Sequence, residues 1–336
     1  MRAALAACGA RTDLGGTHGS TSSGGGDGGC APGIVAQDPK GASALAVDGD
    51  SVFWGTPDGF VRTRDASGAT QTLATESSAI DSIALDDQYV YYAITGRVRR
   101  VPRGGGAASD FVTNAGEPMA LALSSSPTLG AGALYWLDHG DGIAAGSIHA
   151  SGQGGGSDLI VKGLDTPGGM AVDDNYVYVA AVLADIDGLV YQGPLFRIDK
   201  AGHGRNVLTS NLNSPSSVVV FDANVYYVEQ TGPNGGETGG VREMPIAGGA
   251  PTTVLDTSGV LPLDIAVDTS GLYVTELHEK TASLVKAMGD APAAELASAS
   301  NAVYGVVRTS PAAIYWTIGW TGSPPSDGAS VRKLCK

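Results

Sequence analysis

Two short stretches of this chain carry residue types that could hold a metal ion. Asp138-His139-Gly140-Asp141-Gly142 and Asp185-Ile186-Asp187-Gly188 each cluster carboxylates in a glycine-containing segment. Calcium takes about six to eight oxygen ligands, so neither stretch completes a shell alone. A solvated acidic loop is the simpler account of each. His139, His203 and His278 are candidates for a ligand or a general base. His203 sits in Ala201-Gly202-His203-Gly204, which reads as a turn between outer strands, whereas His278 follows an aromatic strand. His278-Glu279 lacks the second histidine of a zinc-protease motif, and the chain has no GxSxG elbow and no P-loop. A GxGxxG match at Gly24, Gly26 and Gly29 has no strand before it and no helix after it, so it carries no phosphate-binding reading. Cys8, Cys30 and Cys335 form no CxxC pair, which argues against a zinc or redox site.

The composition narrows the classes further. The chain has 336 residues, 43% of them hydrophobic, with 50 Gly and 17 Pro. That suits one large all-β domain of short strands and tight turns. The formal net charge of −14 repels phosphate backbones and argues against nucleic acid as a partner. No uninterrupted apolar run approaches the roughly 20 residues of a spanning helix, so membrane contact is expected only through a lipid anchor.

The N-terminus supplies such an anchor. Leu5-Ala6-Ala7-Cys8 resembles a bacterial lipobox, in which Cys8 is lipidated after signal cleavage, although only a stub of the apolar signal precedes it. Residues 1–8 read as a signal remnant. Residues 9–32, rich in Gly, Ser and Thr, read as a flexible tether. An exported protein is expected, an outer-membrane lipoprotein facing the periplasm or the cell surface.

Residues 33–336 repeat one unit. A small apolar strand, often ending in Asp, is followed by a tight turn and a strand with aromatics. Ala44-Leu45-Ala46-Val47-Asp48 precedes Val52-Phe53-Trp54, and Ser82-Ile83-Ala84-Leu85-Asp86 precedes Val90-Tyr91-Tyr92. The pattern returns around Ala120, Met170, Val218, Asp264 and Val306, giving seven copies. A spacing of roughly 40 to 50 residues is the period of propeller blades. Two further strands per unit make four antiparallel strands, one blade. The terminal Asp is expected to accept backbone N–H bonds in its turn. The aromatics are expected to fill the gaps between blades.

Leu134-Tyr135-Trp136-Leu137-Asp138, Gly146-Ser147-Ile148-His149-Ala150 and Pro167-Gly168-Gly169-Met170-Ala171-Val172-Asp173 together resemble a YWTD (LDL-receptor class B) repeat, and Ile314-Tyr315-Trp316-Thr317 resembles it again. The chain is also similar to NHL-type propellers. The resemblance implies an all-β propeller. YWTD propellers have six blades, so six stands as the alternative to the seven copies here. NHL-like propellers include metal-dependent lyases and lactonases. That makes a metal-dependent lyase or hydrolase, with its site on the axial top face of the propeller, the alternative function, with calcium or another divalent metal as the possible cofactor. No catalytic motif of that family maps onto this sequence.

The last copy has three strands of its own, and Ile34-Val35-Ala36 matches the fourth strand of the other blades. The N-terminal strand is therefore expected to complete the last blade and close the ring. Antiparallel pairing then brings Cys335 near Cys30, and a disulfide is expected there.

A site would lie where long loops leave the scaffold on one face. The long segments are Asp138 to Ala145, Leu183 to Pro194, Gln230 to Gly240 and Trp320 to Ala329. With the entrances of the inner strands they give the candidate face: Asp81, Glu117, Asp138, His139, Asp141, Asp185, Asp187, Tyr191, Glu237, Asp264, His278, Tyr304 and Trp320. The favoured function is a monomeric, non-catalytic binding or scaffold module of the bacterial cell envelope, taking a protein, peptide or glycan.

Overall fold

The structure is a computed structural model, and it describes residues 33–38, 40–126, 128–142, 144–184, 191–201, 204–231, 238–257, 259–288, 291–320 and 329–336. Cys8, Cys30, Asp185, Asp187, His203 and Glu237 lie outside the described residues, as do the side chains of Tyr191, Tyr304 and Trp320.

The chain opens with β1 (Gly33–Gln37). Blade 1 follows as β2 (Ala44–Asp48), β3 (Ser51–Gly55), β4 (Phe60–Arg64) and β5 (Thr70–Thr75). Blade 2 is β6 (Ser82–Leu85), β7 (Tyr89–Ile94), β8 (Arg97–Pro102) and β9 (Ser109–Thr113). Blade 3 is β10 (Pro118–Ser126), β11 (Gly130–Asp138), β12 (Gly146–Ser151) and β13 (Asp158–Leu164). Blade 4 is β14 (Pro167–Val172), β15 (Tyr176–Ala181), β16 (Leu183–Ala184), β17 (Tyr191–Asp199) and β18 (Arg205–Asn213). Blade 5 is β19 (Ser216–Phe221), β20 (Asn224–Thr231), β21 (Thr238–Pro245) and β22 (Thr252–Asp256). Blade 6 is β23 (Leu261–Asp268), β24 (Gly271–His278), β25 (Thr281–Met288) and β26 (Ala291–Ser300). Blade 7 is β27 (Ala302–Thr309), β28 (Ala313–Trp320) and β29 (Ser330–Cys335), completed by β1 on the outside of β29. There are seven separate antiparallel sheets, so the molecule is a seven-bladed propeller and the six-bladed alternative is excluded.

Ring closure follows the expected plan. β1 pairs with β29 antiparallel, with Gly33 opposite Lys333 and Ile34 opposite Arg332. Asp38, 2% exposed, then ties this closing strand to blade 1: it accepts from Trp54 Nε1 at 3.3 Å and from the Arg62 guanidinium. The outer edge of β29 is thereby covered, and β1 takes the outermost place that the fourth strand holds in the other blades.

Between blades, the second-strand aromatics form the packing layers. Phe53 and Tyr92 meet Ile83 between blades 1 and 2, Tyr135 meets Met170 and Val179 between blades 3 and 4, and Trp54 meets Tyr315 between blades 1 and 7. Trp54, Trp136, Trp316 and seven tyrosines are fully buried. Burial of each such ring contributes on the order of 2–3 kcal/mol, so most of the ring's cohesion lies here. The strand-ending aspartates act as turn residues. Asp86 Oδ1 accepts from Gln88 N and Tyr89 N at 2.8 and 2.7 Å, and Asp173 Oδ1 accepts from Asn175 N and Tyr176 N at 2.7 Å. Their second oxygens accept from Tyr91 Oη at 2.8 Å and Tyr178 Oη at 2.7 Å. Burial and the adjacent carboxylate push the Tyr91 phenol up to about 12.

Two segments carry strand pairing beyond the repeating plan, and the second of them differs from its reading as a loop. Residues after Ser124 extend the β10–β11 hairpin, with Ser126 opposite Gly130. The extension is fastened by Lys200, 1% exposed, whose Nζ donates to Ser124 Oγ at 2.9 Å, the Ser125 carbonyl at 3.0 Å and the Asp173 carbonyl, and lies 4.4 Å from the Tyr135 ring centre. In blade 4, Leu183 and Ala184 pair with Gln192 and Tyr191, so ladder pairing continues into the long segment and Tyr191 is a strand residue.

Candidate functional site

The propeller has two ends. Connections between second and third strands, and between blades, emerge at one end, the loop face. First-to-second and third-to-fourth turns emerge at the other, the turn face.

On the loop face, one group of the expected residues comes together at blades 2 and 3. Asp138 ends β11 and its Oδ1 accepts from Glu117 N at 2.8 Å and Gly140 N at 3.1 Å, while His139 N donates to the Glu117 carbonyl at 3.1 Å. Gly116 permits this fold-back: it has φ +70°, and a Cβ there would lie 2.1 Å from Asp138 Oδ2. Burial, and then the nearby Glu117 charge, raise Asp81 to about 6. Asp81, Glu117, Asp138 and His139 therefore share one corner of the face. Asp141 is exposed beyond them, and His278 is exposed at the end of β24 on blade 6. Tyr304 and Trp320 fall in β27 and β28. Among the described residues, no three His, Cys, Asp or Glu side chains gather into a set that could hold a metal ion.

Asp264 has a different setting. It lies inside β23 and is 4% exposed. Its Oδ1 accepts from Ser217 Oγ of blade 5 at 2.6 Å. Its Oδ2 accepts from Val307 N at 3.0 Å and Arg308 Nη1 at 2.9 Å, both of blade 7. This carboxylate joins three blades.

Arg308 leads into the axis. The register of each first strand against the second identifies equivalent positions. Ala46, Ala84, Ala122, Ala171, Val219 and Ala266 stand opposite Phe53, Tyr91, Tyr135, Tyr178, Tyr226 and Tyr273, and Arg308 stands opposite Tyr315. Six copies carry a small aliphatic side chain and the seventh a guanidinium. Five of those small residues and Arg308 line an axial cavity of about 390 Å³, together with Leu45, Val47, Ile83, Leu85, Leu123, Ile265 and Val267. Asp48-Gly49 and Ser310-Pro311, which belong to first-to-second-strand turns, also line it, so its mouth is on the turn face. The residues proposed from the sequence did not include Arg308. The signal was present all the same, since aligning the seven copies on their aromatics exposes it.

No family model matches the sequence, and no curated protein does. Solved structures are similar in fold. A chain of the nidogen/laminin complex shares 17% identity over 69% of this chain and 88% of its own, with a TM-score of 0.52. The WD40 propeller domain of Doa1 shares 13% over 90% and 96%, with a TM-score of 0.57. An extracellular domain from B. thetaiotaomicron shares 12% over 89% of this chain and 39% of its own, with a TM-score of 0.59. At these identities the likeness establishes a β-propeller, a fold compatible with a binding or scaffold module, and does not single out the YWTD or NHL families.

Proposed function

We propose that the chain is an exported, non-catalytic binding module of the bacterial cell envelope that takes a protein or peptide with a basic surface on its loop face. The observation that carries this reading is the corner of that face where Asp81, Glu117 and Asp138 gather, with Asp141 exposed beyond them. Asp58, Asp81, Glu117, Asp138, Asp141 and Glu279 stand on its described part against Lys40 and Lys280. The turn face carries carboxylates too, among them the exposed Asp65, Asp87, Asp174 and Asp222, and there Arg103, Lys333 and Lys336 pair with Asp48, Asp50 and Asp268. An acidic rim on a rigid scaffold steers cationic partners and gives a neutral glycan no such advantage. The likeness to a chain solved in the nidogen/laminin complex is in keeping with a protein partner.

The envelope setting rests on Cys8 as a lipidated anchor, residues 9–32 as tether, and a Cys30–Cys335 disulfide sealing the ring of a monomer. The closing register supports the disulfide. Gly33 opposite Lys333 and Ile34 opposite Arg332 bring the chain that follows Cys30 alongside the strand that ends at Cys335.

Site-specific photo-cross-linking tests the reading. A cross-linker at Asp141 on the loop face should capture a partner in envelope fractions, and one at Asp87 on the turn face should not. The capture should fall as salt rises and vanish in Glu117→Lys/Asp141→Lys. Equal capture from both faces, or indifference to charge reversal, would overturn the partner face. A Cys8→Ser chain that stays in the membrane fraction would overturn the anchor.

A further inference from the structure

The axial cavity carries an inference separate from the loop face. Bonds between neighbouring inner strands recur around the ring. Leu121 N of blade 3 donates to Ser82 Oγ of blade 2 at 3.0 Å, and Ile265 N of blade 6 donates to Ser217 Oγ of blade 5 at 3.3 Å. Val307 N of blade 7 makes the same bond to Asp264 Oδ2 of blade 6. A serine hydroxyl is thus sufficient for the tie. At blade 6 the acceptor is a carboxylate, and it holds Arg308 at the wall of the channel.

An arginine on an aliphatic wall is costly, because its charge leaves water for a medium that cannot solvate it. The ring closes at the equivalent positions of the other blades with Ala or Val, so closure does not require the charge. What the Asp264–Arg308 pair adds is a positioned guanidinium facing a cavity of about 390 Å³. That volume, lined by aliphatic side chains with nearly as much polar surface between them, with Arg308 as the cation among the lining residues and Asp48 at the turn-face mouth, matches a small-molecule pocket with a polar anchor. At the mouth, Asp48 is paired with Arg103 Nη2 at 2.6 Å, which offsets its repulsion of an entering anion.

The geometry points to a ligand site in the axial channel for a small organic anion with an apolar body, its carboxylate or sulfonate on Arg308 and its hydrocarbon part along Ala46, Ala84, Ala122 and Ala266. The planar guanidinium suits a carboxylate fork, and Asp264 fixes its orientation.

Calorimetric titration of the folded protein with decanoate, below its micellar concentration, tests this, with 1-decanol as the uncharged counterpart. Decanoate should bind at one site per chain and at least tenfold tighter than decanol. Asp264→Ser/Arg308→Met keeps the serine-type tie seen at Ser82 and Ser217 and should weaken decanoate at least tenfold. Ala46→Phe fills the cavity, leaves Arg308 in place, and should do the same. Failure of decanoate to bind, equal binding of decanol, or unchanged binding in either variant with its unfolding transition intact would each overturn the site. None of these outcomes bears on the loop-face partner, which is read by cross-linking at the opposite end.

Discussion

Removing the carboxylate of Asp264 should destabilise the ring more than almost any other single polar substitution. The side chain accepts three hydrogen bonds from two neighbouring blades, and the ion-paired partners are 6% and 16% exposed. Asp264→Ser keeps an acceptor for Val307 N but leaves the Arg308 charge uncompensated. Breaking a buried pair from one side costs about 3–5 kcal/mol. Arg308→Met strands the carboxylate instead and should cost a similar amount. The double variant removes both charges and leaves a Ser tie, as between blades 2 and 3 and between blades 5 and 6. It should lie within about 1 kcal/mol of the parent, or above it. The coupling between the two positions is therefore expected to exceed about 3 kcal/mol. Urea unfolding followed by tryptophan fluorescence reads it, since Trp54, Trp136 and Trp316 are fully buried. With a slope of about 3 kcal/mol per molar, each single variant should shift the midpoint down by about 1–1.7 M. Additive single effects would show that Asp264 acts through Ser217 and Val307 alone, and would refute the view of the pair as a unit added to an existing tie.

Other sites give further expectations. Lys200→Met should cost about 1–3 kcal/mol, because it strips a donor from buried acceptors, and should speed amide exchange in the β10–β11 hairpin while leaving blade 6 unchanged. Burial, and then Glu295, raise Glu276 to about 7, above its ordinary 4.5, so the native state holds a proton there that the unfolded chain has released. Stability should accordingly fall as pH rises from about 4.5 through 7, by up to about 2–3 kcal/mol, and Glu276→Gln should flatten that fall in denaturation series at fixed ionic strength. Gly116→Ala should lower the melting temperature by several degrees, since its φ is +70° and its Cβ meets Asp138. Gly96→Ala, at φ +80° with nothing within 4 Å, should lose only the backbone part of that penalty.

The architecture was legible because it is written seven times. A strand-ending Asp and a Tyr five residues later recur at Asp86–Tyr91 and Asp173–Tyr178, and both pairs are hydrogen-bonded as well as close in sequence. Closure was legible because Ile34-Val35-Ala36 has the fourth-strand pattern and no other blade lacks a fourth strand. The Lys200 lock was not, since its partners Ser124 and Ser125 lie 76 and 75 residues away and only blade packing brings them together. Nor was the burial of Asp264, which in the sequence looks like one more acidic strand entrance.

Repetition itself explains this division. A position filled alike in every copy answers a demand that every blade shares: turn closure and inter-blade packing. A demand that belongs to one place on the ring can only be met by breaking the pattern there. Arg308 against its six aliphatic equivalents is such a break, and Asp264, against Ser82 and Ser217, is the second break that makes the first tolerable. The two departures fall in adjacent blades and face each other, and one of them lines the axial cavity. Independent drift at two of many inner-strand positions would seldom produce complementary charges in contact. A ring that needed only to hold together had a cheaper solution already in use at two of its other joints.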